Sequence, residues 1–138
     1  MATGIEGILE TSLYVDDLDA AEHFYAELLG LEVIISQPGR HVFLRCGPGV
    51  LLLFNAAETV KPAEPDALPV PAHGAVGPGH ACFRMDGAAM DGMASRLLSH
   101  GVAIEADFLW PNGARSIYFR DPAGNSLECA EARLWQIE

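Results

Sequence analysis

The chain has 138 residues, 50% of them hydrophobic, and its 19 acidic and 8 basic side chains give a formal net charge of −11. A chain of this length is typical of one globular domain that folds around its own core, so neither a disulfide scaffold nor a structural metal is required. The negative charge repels phosphate backbones and anionic headgroups, which argues against nucleic acids and membrane surfaces as partners.

Targeting and redox signals favour a cytoplasmic protein. No apolar run approaches the roughly 18 residues of a membrane-spanning helix. The N-terminus lacks the basic-then-apolar pattern of a secretory signal. Cys46, Cys82 and Cys129 are widely spaced and lie in apolar stretches, which predicts three buried free thiols instead of a disulfide framework.

The first half of the chain predicts the order β-α-β-β-β. Apolar and polar residues alternate over 7–15, which indicates a half-buried strand. Apolar residues from Leu18 to Leu29 recur at helical spacing, with Asp16 or Asp17 as the N-cap and Gly30 at the end. Three short β-prone runs follow, separated by Pro-Gly turns, at 31–36, 41–46 and 50–55.

The second half repeats this order. Alternating residues over 80–85 predict a strand, and Asp86 caps a predicted helix that Gly101 ends. Three further strands are predicted at 102–109, 115–120 and 126–130. The sequence therefore predicts an α+β domain made of two tandem βαβββ modules.

An overlay of the two halves places candidate ligands at corresponding positions. An offset of 75 sets Leu53 opposite Glu128, and an offset of 70 sets Glu10 opposite His80. We expect one domain over 1–138. Its predicted parts are a first module at about 7–55, a Pro-rich linker at about 56–77, which lets the modules pair within or between chains, and a second module at about 78–131.

Three side chains could bind a metal ion. Glu10 and His80 begin the first strand of each module, and Glu128 lies near the end of the last strand. If both sheets curl the same way and pair, these side chains converge in one cup. One imidazole and two carboxylates leave coordination positions open for substrate, and they suit Zn²⁺, Ni²⁺, Co²⁺, Mn²⁺ or Fe²⁺ without selecting among them.

Other residues are predicted to line a largely apolar pocket suited to an aromatic or hydrophobic small molecule. Two arginines are predicted on its concave side, where each could hold an anionic group or form an ion pair. The candidate substrate-binding residues are Tyr14, Phe43, Leu51, Leu53, Arg84, Tyr118 and Arg120.

Several short motifs occur in a characteristic order and spacing. They are Leu9-Glu10-Thr11, Val15-Asp16-Asp17-Leu18, Phe24-Tyr25, Leu29-Gly30-Leu31, Gly79-His80-Ala81, Tyr118-Phe119-Arg120-Asp121-Pro122-Ala123-Gly124-Asn125 and Leu127-Glu128. Over nearly its whole length the chain resembles the vicinal oxygen chelate superfamily, which includes glyoxalase I, extradiol dioxygenases and bleomycin-resistance proteins. The resemblance implies a cup-shaped mixed sheet around a divalent metal that chelates adjacent substrate oxygens. It also implies a homodimer whose subunits share the cups.

The resemblance also implies roles for single residues. His80 and Glu128 match the two ligands of the second module, while Glu10 stands where many relatives have His or Gln. Leu53 stands where glyoxalase I has a carboxylate, which disfavours glyoxalase I activity proper. We expect a metal-dependent isomerase, lyase or dioxygenase in which Glu128 or Glu10 also serves as base. The alternative is a metal-free small-molecule or drug-binding protein of the bleomycin-resistance type.

Overall fold

A computed structural model describes residues 3–137. The chain divides into two compact units, residues 1–76 and 77–138. Each unit contains one four-stranded mixed sheet and a helix packed against that sheet. This is the predicted pair of βαβββ modules. Across residues 3–137, no helix combines the length and the apolar character needed to cross a bilayer.

The first unit follows the predicted order of elements and adds a short helix after the last strand. Its elements are β1 (Glu10–Tyr14), α1 (Leu18–Glu22) continued by a π-helical turn (His23–Leu28), β2 (Glu32–Gln37), β3 (His41–Cys46), β4 (Gly49–Phe54) and α2 (Ala56–Thr59). The sheet order is β1-β4-β3-β2, with β1 parallel to β4 and the other pairs antiparallel.

The ends of α1 follow from local sequence. The carboxylate of Asp17 accepts a hydrogen bond from the backbone N–H of Ala20 at 3.0 Å, which satisfies one of the free donors of the first turn. Gly30, with φ of 77°, takes the left-handed conformation after the last turn. Between Asp17 and Gly30 lies a wider π turn, which is closed by a hydrogen bond from the Leu29 N–H to the carbonyl of Phe24. The periodicity of the apolar residues gives no indication of this turn.

The second unit repeats the arrangement and ends in a 3₁₀ turn that the sequence did not predict. Its elements are β5 (His80–Arg84), α3 (Gly87–Ser99), β6 (Ala106–Leu109), β7 (Arg115–Arg120), β8 (Ser126–Ala130) and the 3₁₀ turn (Ala132–Trp135). The sheet order is β5-β8-β7-β6, with β5 parallel to β8. The strand predicted at 102–109 begins only at Ala106.

Each sheet has one face covered by the helix of its own unit, and we call the other face its open face. In the first unit the helix-covered face carries side chains that are at most 4% exposed, namely Leu13, Val15, Val42, Leu44, Leu51 and Leu53. The expectation that Leu51 and Leu53 line a pocket with Phe43 and Tyr14 is therefore wrong, since the latter two lie on the open face. Burying these leucines against α1 stabilises the first unit.

A one-residue difference between two hairpins changes how the modules correspond. Arg45 pairs with Val50 across the β3–β4 hairpin, whereas the corresponding Arg120 pairs with Ser126 across the β7–β8 hairpin. The offset of 75 is right for β3 and β7, but β4 and β8 need 76. The counterpart of Glu128 is therefore Leu52 and not Leu53, because a shift of one residue moves a side chain to the other face.

The segment predicted as a free linker packs against the first unit at both ends. Asn55 caps α2 at its start, accepting a hydrogen bond from the backbone N–H of Ala57 at 3.1 Å. Near the other end, the backbone N–H of His73 donates to the carbonyl of Thr59, and His73 Nδ1 lies 2.7 Å from the hydroxyl of Tyr14. The segment is part of the first unit in spite of its prolines.

His41 is a buried histidine whose ionisation opposes folding. Its ring stacks on Phe43 at 4.1 Å, and Nδ1 accepts a hydrogen bond from Arg40 at 2.8 Å. Burial, and next the charge of Arg40, lower the pKa of His41 from its ordinary 6.5. The unfolded chain therefore binds more protons than the folded chain just below pH 6.5.

The expected result is that His41 makes the protein less stable as the pH falls through about 6.5 toward the lower pKa of the folded state. We expect the free energy of unfolding of His41→Phe to depend less on pH than that of the wild type between pH 7.5 and 5. Urea unfolding in the presence of EDTA measures the free energy of unfolding of both proteins. Parallel pH profiles of the two proteins would contradict this account.

Candidate functional site

The open face of the second sheet brings His80 and Glu128 together. His80 pairs with Ser126 and Cys82 pairs with Glu128 across the parallel β5 and β8 strands, so the alternation of side chains directs all four to one face. The Nε2 atom of His80 lies 3.4 Å from Oε1 of Glu128. The two second-module ligands predicted from the sequence therefore lie side by side.

A backbone contact fixes the orientation of the His80 ring. Its Nδ1 atom lies 2.9 Å from the carbonyl oxygen of Ser126. A carbonyl oxygen only accepts, so Nδ1 carries the hydrogen, and in the neutral ring the lone pair is on Nε2, toward Glu128. Histidines that bind metals are typically held in this way, with one ring nitrogen donating to a carbonyl and the other free to ligate.

Glu128 is a buried carboxylate that accepts a hydrogen bond from a serine hydroxyl. It is only 5% exposed, and its Oε2 accepts a hydrogen bond from Ser116 Oγ at 2.5 Å. Ser116 Oγ in turn accepts from Trp110 Nε1 at 2.7 Å. A charged oxygen can be kept out of water only if hydrogen bonds replace the lost hydration, and this network supplies them.

Tyr118 and Cys82 are the cross-strand neighbours of Glu128 on β7 and β5. Burial raises the pKa of Tyr118 to about 12, and the neighbouring Glu128 adds to the shift. The pKa of the Cys82 thiol is also raised to about 12, chiefly by the packing around it and then by the charge of Glu128. Both groups remain protonated near neutral pH and are poor nucleophiles. Cys82 is nevertheless an exposed residue, so the prediction of three buried thiols is wrong for it.

The donor atoms of this pair fit a divalent metal ion. An imidazole nitrogen and a carboxylate oxygen are borderline and hard ligands of the kind that Zn²⁺, Co²⁺ and Mn²⁺ accept. Ligand distances of about 2.0–2.2 Å allow two ligand atoms to lie up to about 4.4 Å apart, and the 3.4 Å separation is within that limit. Within residues 3–137 no three His, Cys, Asp or Glu side chains form a cluster that could hold an ion.

Glu10 occupies the same place in the first unit as His80 in the second. It is the first residue of β1 and pairs with Val50, as His80 begins β5 and pairs with Ser126. Glu10 is exposed and lies on the open face of the first sheet. The predicted correspondence of Glu10 and His80 is confirmed by this register.

The remaining predicted residues are distributed over both units. Tyr14 and Phe43 lie on the open face of the first sheet, and Tyr118 stacks on His80 with ring centroids 6.2 Å apart. The guanidinium of Arg120 is engaged by Glu105 at 3.0 Å, so the ion-pair alternative applies to it. Arg84 lines a cavity of about 370 Å³ at the start of α3.

Sequence reasoning missed Ser116, Trp110 and the role of Cys82. Ser116 and Cys82 could have been found by counting in twos from Tyr118 and His80, since alternate residues of a strand share a face. Trp110 precedes a turn, and nothing in the local sequence connects it with a glutamate 18 positions later.

Comparison with known proteins supports the fold described above. Residues 7–129 match the Glyoxalase/Bleomycin resistance protein/Dioxygenase superfamily. A lactoylglutathione lyase from Agrobacterium tumefaciens has a similar solved structure, with 45% identity, a TM-score of 0.92, and coverage of 98% of this chain and 100% of that one.

More distant solved structures share the fold. An integron cassette protein from the mobile metagenome of the Halifax Harbour sewage outfall is 25% identical, with a TM-score of 0.71 over 92% of this chain and 99% of that one. A putative glyoxalase family protein from Bacillus anthracis is 19% identical, with a TM-score of 0.71 over 95% and 98% of the two chains. No curated protein gives a significant match to the sequence.

Proposed function

Because this chain belongs to the Glyoxalase/Bleomycin resistance protein/Dioxygenase superfamily, we propose that it is a divalent-metal-dependent lyase or isomerase. Its substrate is a small, partly apolar molecule with two adjacent oxygens. The 45% identity to a protein named lactoylglutathione lyase supports this class. A dioxygenase is less well supported, because non-haem iron oxygenases typically use two histidines and one carboxylate, and the proposed set has one histidine.

The observation that carries the proposal is the pairing of His80 with Glu128. A histidine whose Nδ1 is fixed by a backbone carbonyl and whose Nε2 faces a buried carboxylate is arranged to share a cation with it. We assign the third ligand to Glu10, from the same chain or from a second copy in a homodimer with shared cups. The repeat supports this assignment, since Glu10 and His80 are equivalent by register.

The two carboxylates differ in a way that separates their roles. Glu128 is buried and held by hydrogen bonds, so it is fixed as a ligand. Glu10 is exposed at a strand end, so we assign to it the exchange between the role of ligand and the role of base that accepts a proton from the substrate. A bound divalent ion supplies Lewis acidity that polarises the adjacent oxygens of the substrate.

The open face of the second sheet suits a partly apolar substrate. Tyr118 stacks on His80 on one side and on Phe108 on the other, with the Phe108 ring 6.0 Å away. These flat apolar surfaces flank the proposed ligands. An aliphatic or aromatic group attached to the chelating oxygens would pack on them.

The test is reconstitution of metal-free protein with single ions. We expect one of Zn²⁺, Ni²⁺, Co²⁺, Mn²⁺ or Fe²⁺ to bind at about one equivalent per chain, as measured by elemental analysis after gel filtration. That ion should switch on isomerisation of the hemithioacetal formed by a thiol and a 2-oxoaldehyde to the 2-hydroxyacyl thioester, and EDTA should switch the activity off. Protein that retains none of the five ions would contradict the proposal.

The second candidate is a binding protein that holds a drug or metabolite without reaction. The observation that favours it is Leu52, the apolar counterpart of Glu128 in the first unit, which removes a carboxylate that glyoxalase I uses as ligand or base. A ligand whose affinity is the same before and after chelation, with no product formed, would support this candidate. Loss of ligand binding on chelation supports the enzyme.

A further inference from the structure

The Glu128 carboxylate is connected through Ser116 to an indole at the end of a neighbouring hairpin. Trp110 Nε1 lies 2.7 Å from Ser116 Oγ, which lies 2.5 Å from Glu128 Oε2. Ser116 is fully buried on β7. These two hydrogen bonds connect the turn before β7 with β8.

The direction of these hydrogen bonds is determined by chemistry. An indole N–H can only donate, so the Ser116 oxygen accepts from Trp110. The single hydroxyl hydrogen of Ser116 is then available for Glu128, whose carboxylate only accepts when ionised. The indole therefore orients the hydroxyl of Ser116, and this hydroxyl donates its hydrogen bond to Oε2 of Glu128. The other oxygen, Oε1, is the one that lies 3.4 Å from His80 Nε2.

Trp110 is itself held in place by the hairpin that follows it. Its backbone N–H donates to Ala114 and its carbonyl accepts from Gly113, both at 2.8 Å. The Asn112 amide in the same turn donates to the carbonyls of Arg133 and Leu134 in the 3₁₀ turn. The Trp110 ring also packs on Phe108 with centroids 4.9 Å apart. An anchored donor of this kind defines one position for the hydroxyl and hence for the carboxylate.

We infer that Ser116 and Trp110 are positioning residues for the metal ligand Glu128. They hold Oε2 and thereby direct Oε1 toward His80, so that the carboxylate offers one oxygen and not two. This inference rests on the proposed function for its metal, but the orientation of the carboxylate belongs to the chain itself. Neither residue touches the substrate or acts on it.

The experiment uses Ser116→Ala, Trp110→Phe and the double variant. Each protein is stripped of metal and titrated with Zn²⁺ against a chelating dye. We expect Ser116→Ala to weaken Zn²⁺ binding by about 10- to 100-fold, the usual effect of removing a group that orients a ligand. Trp110→Phe keeps an aromatic ring next to Phe108 and removes the N–H donor, so its effect should be smaller. In the double variant Trp110→Phe should add nothing, because it acts through Ser116.

Trp135→Phe and Ser99→Ala are the matched controls, because both residues are exposed and away from this chain of hydrogen bonds. Both should bind Zn²⁺ like the wild type. Independent effects of Trp110→Phe and Ser116→Ala that multiply in the double variant would overturn the inference. Circular dichroism and thermal melting confirm that the variants are folded.

Crystal structures of the metal-free proteins give a second readout. In Ser116→Ala we expect the Glu128 carboxylate to rotate, so that Oε1 no longer lies toward His80 Nε2. An unchanged carboxylate would overturn the positioning role. If the wild type binds no Zn²⁺ in the titration, the proposed function fails only when the other four ions are not retained either. The carboxylate orientation in these crystals decides the inference on its own in both cases.

Discussion

Replacing His80 with alanine is expected to abolish stoichiometric metal binding and, with it, activity. His80 supplies the only nitrogen of the proposed ligand set, and its removal leaves the buried carboxylate of Glu128 without the partner at 3.4 Å. Losing a direct ligand should exceed the roughly 10- to 100-fold loss of affinity caused by removing a group that only orients a ligand. Elemental analysis after reconstitution should find less than about a tenth of the wild-type metal content.

The matched control for this variant is His100→Ala. His100 is exposed at the end of α3 and its Nδ1 contacts the carbonyl of Arg96, so it has no link to Glu128. It should retain the wild-type metal content and activity. Wild-type metal content in His80→Ala would show that the ion is bound elsewhere, and the proposed site would have to be abandoned.

The second large effect concerns adjacent leucines on β4. Leu53→Glu places a carboxylate on the helix-covered face, at a position that is 0% exposed, without a partner for its charge. The loss of packing and the buried charge together should cost more than about 4 kcal/mol. That is a large part of the roughly 5–15 kcal/mol by which a typical domain is stable, so we expect an unfolded or insoluble protein.

Leu52→Glu is the matched control, one residue away. Leu52 is half-buried on the open face, where it pairs with Phe43 and Ser12, so a carboxylate there can reach water. We expect the free energy of unfolding to change by no more than about 1 kcal/mol, as measured by urea denaturation. If Leu52→Glu were the variant that fails to fold, Leu52 and not Leu53 would face the helix, and the register of β4 would be wrong.

The apolar run Leu51-Leu52-Leu53-Phe54 explains why the sequence could not assign these faces. Alternation identifies the buried side of a strand only where polar residues interrupt the apolar ones. In β1 and β5 they do, and Glu10 and His80 were placed on the correct faces. In β4 every residue after Gly49 is apolar, so only the overlay of the two halves could indicate which residue corresponds to Glu128. The overlay assumes two hairpins of equal length, but the β7–β8 hairpin is one residue longer than the β3–β4 hairpin. It therefore matches Glu128 with Leu53 instead of Leu52.

The segment at 56–77 shows a second limit of composition. Its prolines predict a linker, and the chain there has little regular structure after α2. Its docking depends on single contacts to residues distant in sequence, such as the hydrogen bond between Tyr14 and His73. Composition carries no information about such contacts.

The sequence by itself determined the order of the elements, the duplication of the βαβββ module and the two ligand candidates of the second unit. These depend on local periodicity, capping residues and turn signals, which act over a few neighbouring positions. The tertiary structure decided the register of β4, the contact between His80 and Glu128, and the support of Glu128 by Ser116 and Trp110. The physical reason is that strand pairing joins distant residues, and its register depends on exact hairpin lengths and on the packing of whole sheets.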